Sequence, residues 1–162
     1  MDDWSEIRFF PGYSVSTEGK VRNDDTGRLM KLFVNPHGIQ FVGLVRSRVQ
    51  YKKAVSLLVA NAFIPRPIRE AFDTPINLDG DRLNNAVPNL TWRPRWFAIK
   101  YVQQFKRDIR GFTVPVEEVR TGEQFPTSWE AAIKYGLLDR EILLATLART
   151  HVWPTYQRFR VI

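Results

Sequence analysis

The sequence predicts an α+β fold in which small β elements come first and helices close the chain. Three observations lead there. The first fifty residues alternate short apolar and polar segments with glycine and Asn-Pro turns. An apolar run, Ala54–Phe63, stops at two prolines. The last third holds a hairpin signal followed by two short helical patterns.

Tyr13–Ser16 and Lys20–Arg22 flank Glu18-Gly19, which predicts a hairpin turning at glycine. A second strand pair is expected over Arg28–Val34 and Ile39–Val45, broken by Asn35-Pro36-His37-Gly38. Ala54–Phe63 predicts a short buried helix, because Pro65 and Pro67 forbid its continuation. Pro75–Asp81 reads as extended chain turning at Asp79-Gly80. After a loop at Arg82–Trp92, a helix is expected from about Pro94 to Lys106. Trp96, Ile99, Val102 and Phe105 form its apolar face at helical spacing.

In the tail, Val114–Val119 and Glu123–Phe125 around Thr121-Gly122 predict another hairpin. Ser128 is expected to cap a helix through Tyr135, ended by Gly136, since its hydroxyl can accept from free N–H groups of the first turn. Asp139 is expected to cap a second helix running through Arg149. Two such helices around a glycine turn suit a helix-turn-helix, with Arg140, Thr146 and Arg149 exposed for recognition. A plain helical hairpin packed on a sheet fits the same pattern.

Composition bounds the function. The 162 residues, 44% of them hydrophobic, are too apolar for a disordered chain and suffice for one domain or two small ones. No uncharged apolar run approaches the roughly 18 residues that span a bilayer. The acidic start, Met1-Asp2-Asp3-Trp4, lacks the layout of a signal peptide, so a soluble intracellular protein is expected. Cysteine is absent, which excludes disulfides, thiolate catalysis and Cys-rich zinc sites. Only His37 and His151 offer imidazole.

The net charge of +7 favours a polyanionic partner. It concentrates in the middle. Residues 1–74 carry 11 basic and 8 acidic side chains, residues 75–111 carry 7 and 3, and residues 112–162 carry 6 of each. The five tryptophans, Trp4, Trp92, Trp96, Trp129 and Trp153, sit where core packing is expected rather than base stacking.

Three ordered segments carry a family resemblance. Trp4-x-x-Ile7 with Phe10-Pro11-Gly12-Tyr13-Ser14-Val15-Ser16-Thr17-Glu18-Gly19-Lys20-Val21-Arg22 resembles the NUMOD-type module of phage HNH homing endonucleases, and Leu58–Pro65 continues that pattern. Asn77–Trp92 resembles the HNH core, a ββα-metal motif. Phe125–Ala132 through Arg149 is similar to the helix-turn-helix repeat that often ends these enzymes. The resemblance implies three modules: a small β-sheet module over 1–50, a degenerate ββα-metal (HNH-like) core over 51–110, and a β-hairpin plus helix-turn-helix over 111–162.

Members of the family cut or nick duplex DNA with one divalent metal. An Asp before the Asp-Gly turn ligates it, a His serves as general base, and a later helix residue adds a ligand. Oxygen donors suit a hard cation, and imidazole can take a proton near neutral pH. This sequence departs from that pattern. The metal-ligating Asp falls on Ile76, the base on Asn77, the helix ligand near Ala98, and the histidine before the Leu-Val-Ala segment on Ser56. Isoleucine has no donor atom and an amide no accessible basic form. Losing the base alone costs roughly 10²–10⁴ in rate.

The resemblance and these departures together imply a phage or mobile-element protein that binds double-stranded DNA with sequence preference and has lost its nuclease. It would work in the cytoplasm of an infected bacterial cell. No cofactor is expected. Arg82, Arg93, Arg95 and Lys100 are the expected phosphate contacts, and Arg140, Thr146 and Arg149 the expected base-reading side chains. Two rival readings stand beside this one. In the first, a residual nuclease uses Mg²⁺ or Mn²⁺ on Asp79 and Asp81, although Asp-Gly-Asp is first of all turn chemistry. In the second, the chain binds a host protein to inhibit or redirect it. No membrane partner is expected.

Overall fold

The computed structural model describes residues 2–162, which form two compact units, one up to Arg95 and one from Trp96 to Ile162. Among the described residues no helix is long and apolar enough to cross a membrane.

The first unit opens with an antiparallel sheet, β1 (Trp4–Glu6), β2 (Tyr13–Ser16) and β3 (Val21–Asn23), with β2 in the middle. The expected hairpin joins β2 to β3. Gly19 takes a φ of +85° at its tip, a conformation open to glycine. The buried Ser16 hydroxyl accepts from the N–H groups of Glu18 and Lys20 at 3.2 and 3.0 Å, which fixes the turn.

A second sheet contains β4 (Phe33–Val34), β5 (Gln40–Arg46) and β6 (Val49–Ala54), with β5 central. The Asn35 side chain braces the β4–β5 turn by accepting from His37 and Ile39 N–H. The strand expected over Arg28–Val34 is only two residues long, and β6 was not expected at all. Its turn from β5 is made by Ser47 and Arg48, at φ +51° and +64°. Two-residue hairpin turns with positive φ ordinarily announce themselves by Asn or Gly; this one does not.

Helix α1 (Val55–Phe63) follows directly and buries Val55, Leu58, Val59 and Ala60. It ends as expected where Ile64 becomes extended before Pro65. A third, two-stranded sheet pairs β7 (Thr74–Asn77) with β8 (Leu90–Arg93), in register Thr74↔Arg93 through Asn77↔Leu90. One core unites these pieces: Val15, Val21, Val42, Leu44, Val55, Val59 and Leu90 are all buried in it. Each such side chain contributes about 1.5–3 kcal/mol on burial. Residues 1–50 and 51–95 therefore share a core.

From Trp96 onward, α2 (Arg95–Gln104) belongs to the second unit. Its buried face is Phe97 and Tyr101, not the expected set: Trp96 is 52% and Ile99 51% exposed. Apolar residues occupy so much of this helix that spacing alone could not choose the face. A sheet of order β10-β9-β11 follows, built from β9 (Val116–Glu118), β10 (Gln124–Phe125) and β11 (Phe159–Val161). The expected hairpin is β9–β10, whereas the C-terminal β11, pairing on the other side of β9, was not anticipated.

Helices α3 (Ser128–Tyr135) and α4 (Asp139–Leu147) are joined by a three-residue turn, with Gly136 at φ +65° as expected. Their caps differ from the expectation. Thr127, one residue before Ser128, is the cap of α3: its hydroxyl accepts from Trp129 N–H and donates to the Glu130 carboxylate. Ser128 is buried and donates to Asp139 instead. Asp139 is the first helical residue of α4, and its carboxylate also accepts from Gly111 N–H at 2.6 Å. The helix stops at Leu147, which leaves Arg149 beyond it with φ +56°. Val116, Phe125, Ala131, Leu137, Ile142 and Phe159 are central to the core of this unit.

Candidate functional site

The segment between β7 and β8 is held by a network of asparagines. Asn77, the last residue of β7, donates its amide to Asn84 O at 2.8 Å and Asn85 Oδ1 at 2.9 Å. Asn85 donates in turn to Gln40 Oε1 at 3.0 Å and Arg82 O at 3.3 Å. Asn89 donates to Asp79 Oδ1 and Asn84 O, both at 2.8 Å, and accepts from Asp79 N–H at 3.0 Å. Short amides do this at turns because they can meet backbone donors and acceptors at once. Asn84, Asn85 and Asn89 thus brace the loop.

Asp79 belongs to the same network. Its Oδ1 accepts from Asp81 N–H at 2.9 Å and from Asn89, and its Oδ2 accepts from Asn84 at 2.9 Å. Desolvation raises the Asp79 carboxyl, but these donors outweigh it and hold its pKa below the ordinary aspartate value. Asp81 Oδ1 accepts from Leu83 N–H at 2.9 Å. Both aspartates are thus committed to the turn.

The positions aligned with the metal chemistry do not fit a metal. Ile76 is 2% exposed and supplies no donor atom. The Asn77 amide nitrogen is taken by two internal acceptors. Ser56 lies half-buried on α1, and Ala98 half-buried on α2 in the second unit. Among the described residues no three His, Asp or Glu side chains gather as a metal-holding group.

The loop is anchored on both flanks by the β modules. Val87 N–H donates to Thr17 O at 2.9 Å, and a Cβ on Gly19 would stand 3.2 Å from Asn85 Cβ. Arg82 donates to His37 O, so the turn holding His37, distant in sequence, lies against this loop.

The expected cationic residues divide by exposure. Arg95, Lys100, Arg140 and Arg149 are exposed, and Arg82 is half-buried. Arg93 is a correction: it is 8% exposed and donates to Trp92 O at 2.8 Å, which removes it from the surface. Thr146 is also half-buried, with a hydroxyl oxygen that is buried and unpartnered, not displayed.

A basic surface that the sequence did not signal lies on the β4–β5–β6 sheet. Val42 and Leu44 point into the core, so Phe41, Gly43 and Val45 line the opposite face. Their cross-strand neighbours are Phe33, Lys52 and Gln50. Phe33 and Phe41 stack with centroids 5.5 Å apart, and Lys31 and Lys52 sit over them at 5.3 Å. A hairpin read across Ser47-Arg48 would have brought these side chains together.

The tryptophans bear on packing. Trp92 is buried and donates to Ile64 O at 3.0 Å; Trp129 meets Phe105 edge-on at 4.9 Å; Trp96 stacks on Trp153 at 5.2 Å.

Comparison with known proteins gives this architecture its class. Residues 2–45 match the NUMOD4 motif. The chain is 35% identical over 89 residues to an uncharacterized HNH endonuclease of Acanthamoeba polyphaga mimivirus, a match covering 55% of this chain. It spans about a quarter of that relative, 26% of its length. Among solved structures it is similar to the HNH homing endonuclease I-HmuI, described as binding and cleaving DNA, with TM-score 0.56 and 18% identity over 99% of this chain and 98% of that one. The fold is that of an HNH homing endonuclease, and the first module is a NUMOD4 motif. The resemblance seen in the sequence stands.

Proposed function

We propose that this chain binds double-stranded DNA with sequence preference and does not cleave it. The observation that carries the second half is the pair Ile76 and Asn77. One is buried hydrocarbon at a metal-ligand position, and the other is an amide spent on Asn84 and Asn85 where the family holds its general base. Neither can activate water.

The first half rests on relationship and charge. The structural neighbour binds DNA, and this chain carries +7 with exposed cations on two surfaces. In this reading Arg95 and the sheet face around Lys31, Lys52 and Gln50 contact phosphates. Arg149 is the contact offered by the tail. Phosphate contacts then set affinity and register, and side chains reaching base edges set preference.

The test is titration of a labelled random-sequence duplex at several salt concentrations, with and without Mg²⁺. The expected result is micromolar or tighter binding and intact strands. Log affinity should fall against log salt with a slope of about −4 to −5, as for five or so phosphates. Absence of binding at low salt overturns the DNA reading. Metal-dependent nicking lost in Asp79→Ala establishes the nuclease instead.

A further inference from the structure

Helix α4 does not present the polar face of a base-reading helix. Arg140, Leu144 and Leu147 share one side of it at helical spacing, with Leu144 46% and Leu147 68% exposed. Beside that side, within the second unit, lies a groove of about 560 Å³. The C-terminal half of α2, the segment around 107–111 and the first turns of α4 enclose it.

Its lining separates by chemistry. Trp129, Leu143 and Leu144 give an apolar floor, and Ile109, which is 89% exposed, stands at its edge. Lys100, Arg107 and Arg140 give a cationic rim, and among the described residues none of the three is paired with a carboxylate. Of the two acidic side chains in the lining, Asp139 faces inward to Ser128 and Gly111, and the exposed Glu141 leaves the three cations of the rim in excess. Arg110 is a fixed wall: it lies 3.8 Å over the Trp129 ring and donates to the carbonyls of Gln104 and Arg107.

We propose that this groove docks an acidic amphipathic peptide segment of a partner protein. One or two aliphatic or aromatic side chains would fill the floor, with Asp or Glu flanking them against Lys100, Arg107 and Arg140. Volume and lining suit that occupant, since binding grooves of this size are mostly apolar with a few placed charges. Phosphates use the rim but cannot cover the floor, and Ile109 and Leu144 would stay in water. The proposal is independent of DNA binding elsewhere on the chain.

The experiment selects binders to the full-length protein from displayed random peptides about a dozen residues long. Affinities of the enriched peptides are then measured by fluorescence anisotropy. Enriched sequences should pair aliphatic or aromatic anchors with Asp or Glu. Arg140→Glu and Ile109→Glu should each weaken them about tenfold or more. Both side chains are exposed, so the fold should survive, and an unchanged urea midpoint checks it. A duplex oligonucleotide should fail to displace the peptide. No enrichment, enrichment without acidic residues, indifference to both variants, or displacement by duplex each overturns the proposal; the last would make the groove a phosphate surface.

Discussion

The amide of Asn77 donates to Oδ1 of Asn85 at 2.9 Å, and Asn85 is almost wholly buried against the Gly19 turn. An amide is thus the structural centre of the segment that resembles the HNH core. Asn77→Ala would leave the buried Asn85 Oδ1 without its donor, whereas Asn84 O would keep the one from Asn89. A loss of about 1–3 kcal/mol is expected, read as a lower urea midpoint at constant slope. Plasmid nicking in Mg²⁺ or Mn²⁺ should be absent in both proteins. Unchanged stability together with lost nicking would instead make Asn77 catalytic.

Asp79 gives a related prediction for metals. Three donors already occupy its two oxygens, so a divalent ion would have to displace them. Millimolar Mg²⁺ or Mn²⁺ should leave the thermal midpoint of the wild type unchanged, because a ligand stabilises only what it binds. Asp79→Ala should lower that midpoint equally with and without metal. A metal-dependent rise in the wild type that Asp79→Ala abolishes would restore the site as a metal centre.

Much of this was legible in the sequence because its signals are local. Glycine at Gly19 and Gly136, prolines after Ile64, and amides around Asp79 each determine the few residues beside them. What escaped depends on partners far along the chain. Strand β6 turns through Ser47-Arg48, which carries no turn residue, and β11 pairs with β9 across more than forty positions. Arg93 looks like a surface charge by type, and only the packing of β8 shows it buried. The choice of Phe97 and Tyr101 over Trp96 and Ile99 is likewise made by the surrounding structure, since both pairs fit a helical spacing.

That burial separates two kinds of arginine in a salt titration. Arg95→Ala removes an exposed charge and should make the slope of log affinity against log salt shallower by about 1 if the residue meets a phosphate. Stability should change by less than about 0.5 kcal/mol. Arg93→Ala should do the reverse, lowering the unfolding midpoint and leaving the slope intact. A shallower slope in Arg93→Ala at unchanged stability would return that residue to the interface.

Glycine at position 111 should prove irreplaceable for a packing reason. A Cβ there would stand 3.0 Å from Asp139 O, Asp139 Oδ1 and Ser128 Oγ, all held by the buried node between α3 and α4. None of these atoms is the free end of a flexible chain. Gly111→Ala should cost about 1–3 kcal/mol by overpacking. At Gly43 the new methyl group meets only the exposed Gln50 side chain, which can swing into solvent, so Gly43→Ala should stay near neutral. Equal effects of the two substitutions in a urea titration would disprove the contrast.

The second unit should be limited by different groups at the two ends of the pH scale. Burial raises the Glu118 carboxyl, but Thr121 N–H and hydroxyl, with Arg120 N–H, outweigh it and hold its pKa below the usual value of 4.5. A lowered native pKa means that the unfolded chain takes up the proton first. Its stabilisation is therefore complete above about pH 5 and is lost as pH falls through the native value. Tyr135 behaves oppositely. Burial, then its bond to Glu123, pushes the phenol up to about 12, so the neutral form is favoured in the native state. Its stabilisation is present below the ordinary phenol pKa of 10.0 and declines as pH climbs from there toward 12. Glu118→Gln should flatten the acid limb of a stability–pH curve, and Tyr135→Phe the alkaline limb, each leaving the other limb in place. Urea midpoints across the range measure both, and an acid limb unchanged in Glu118→Gln would assign that sensitivity to another carboxylate.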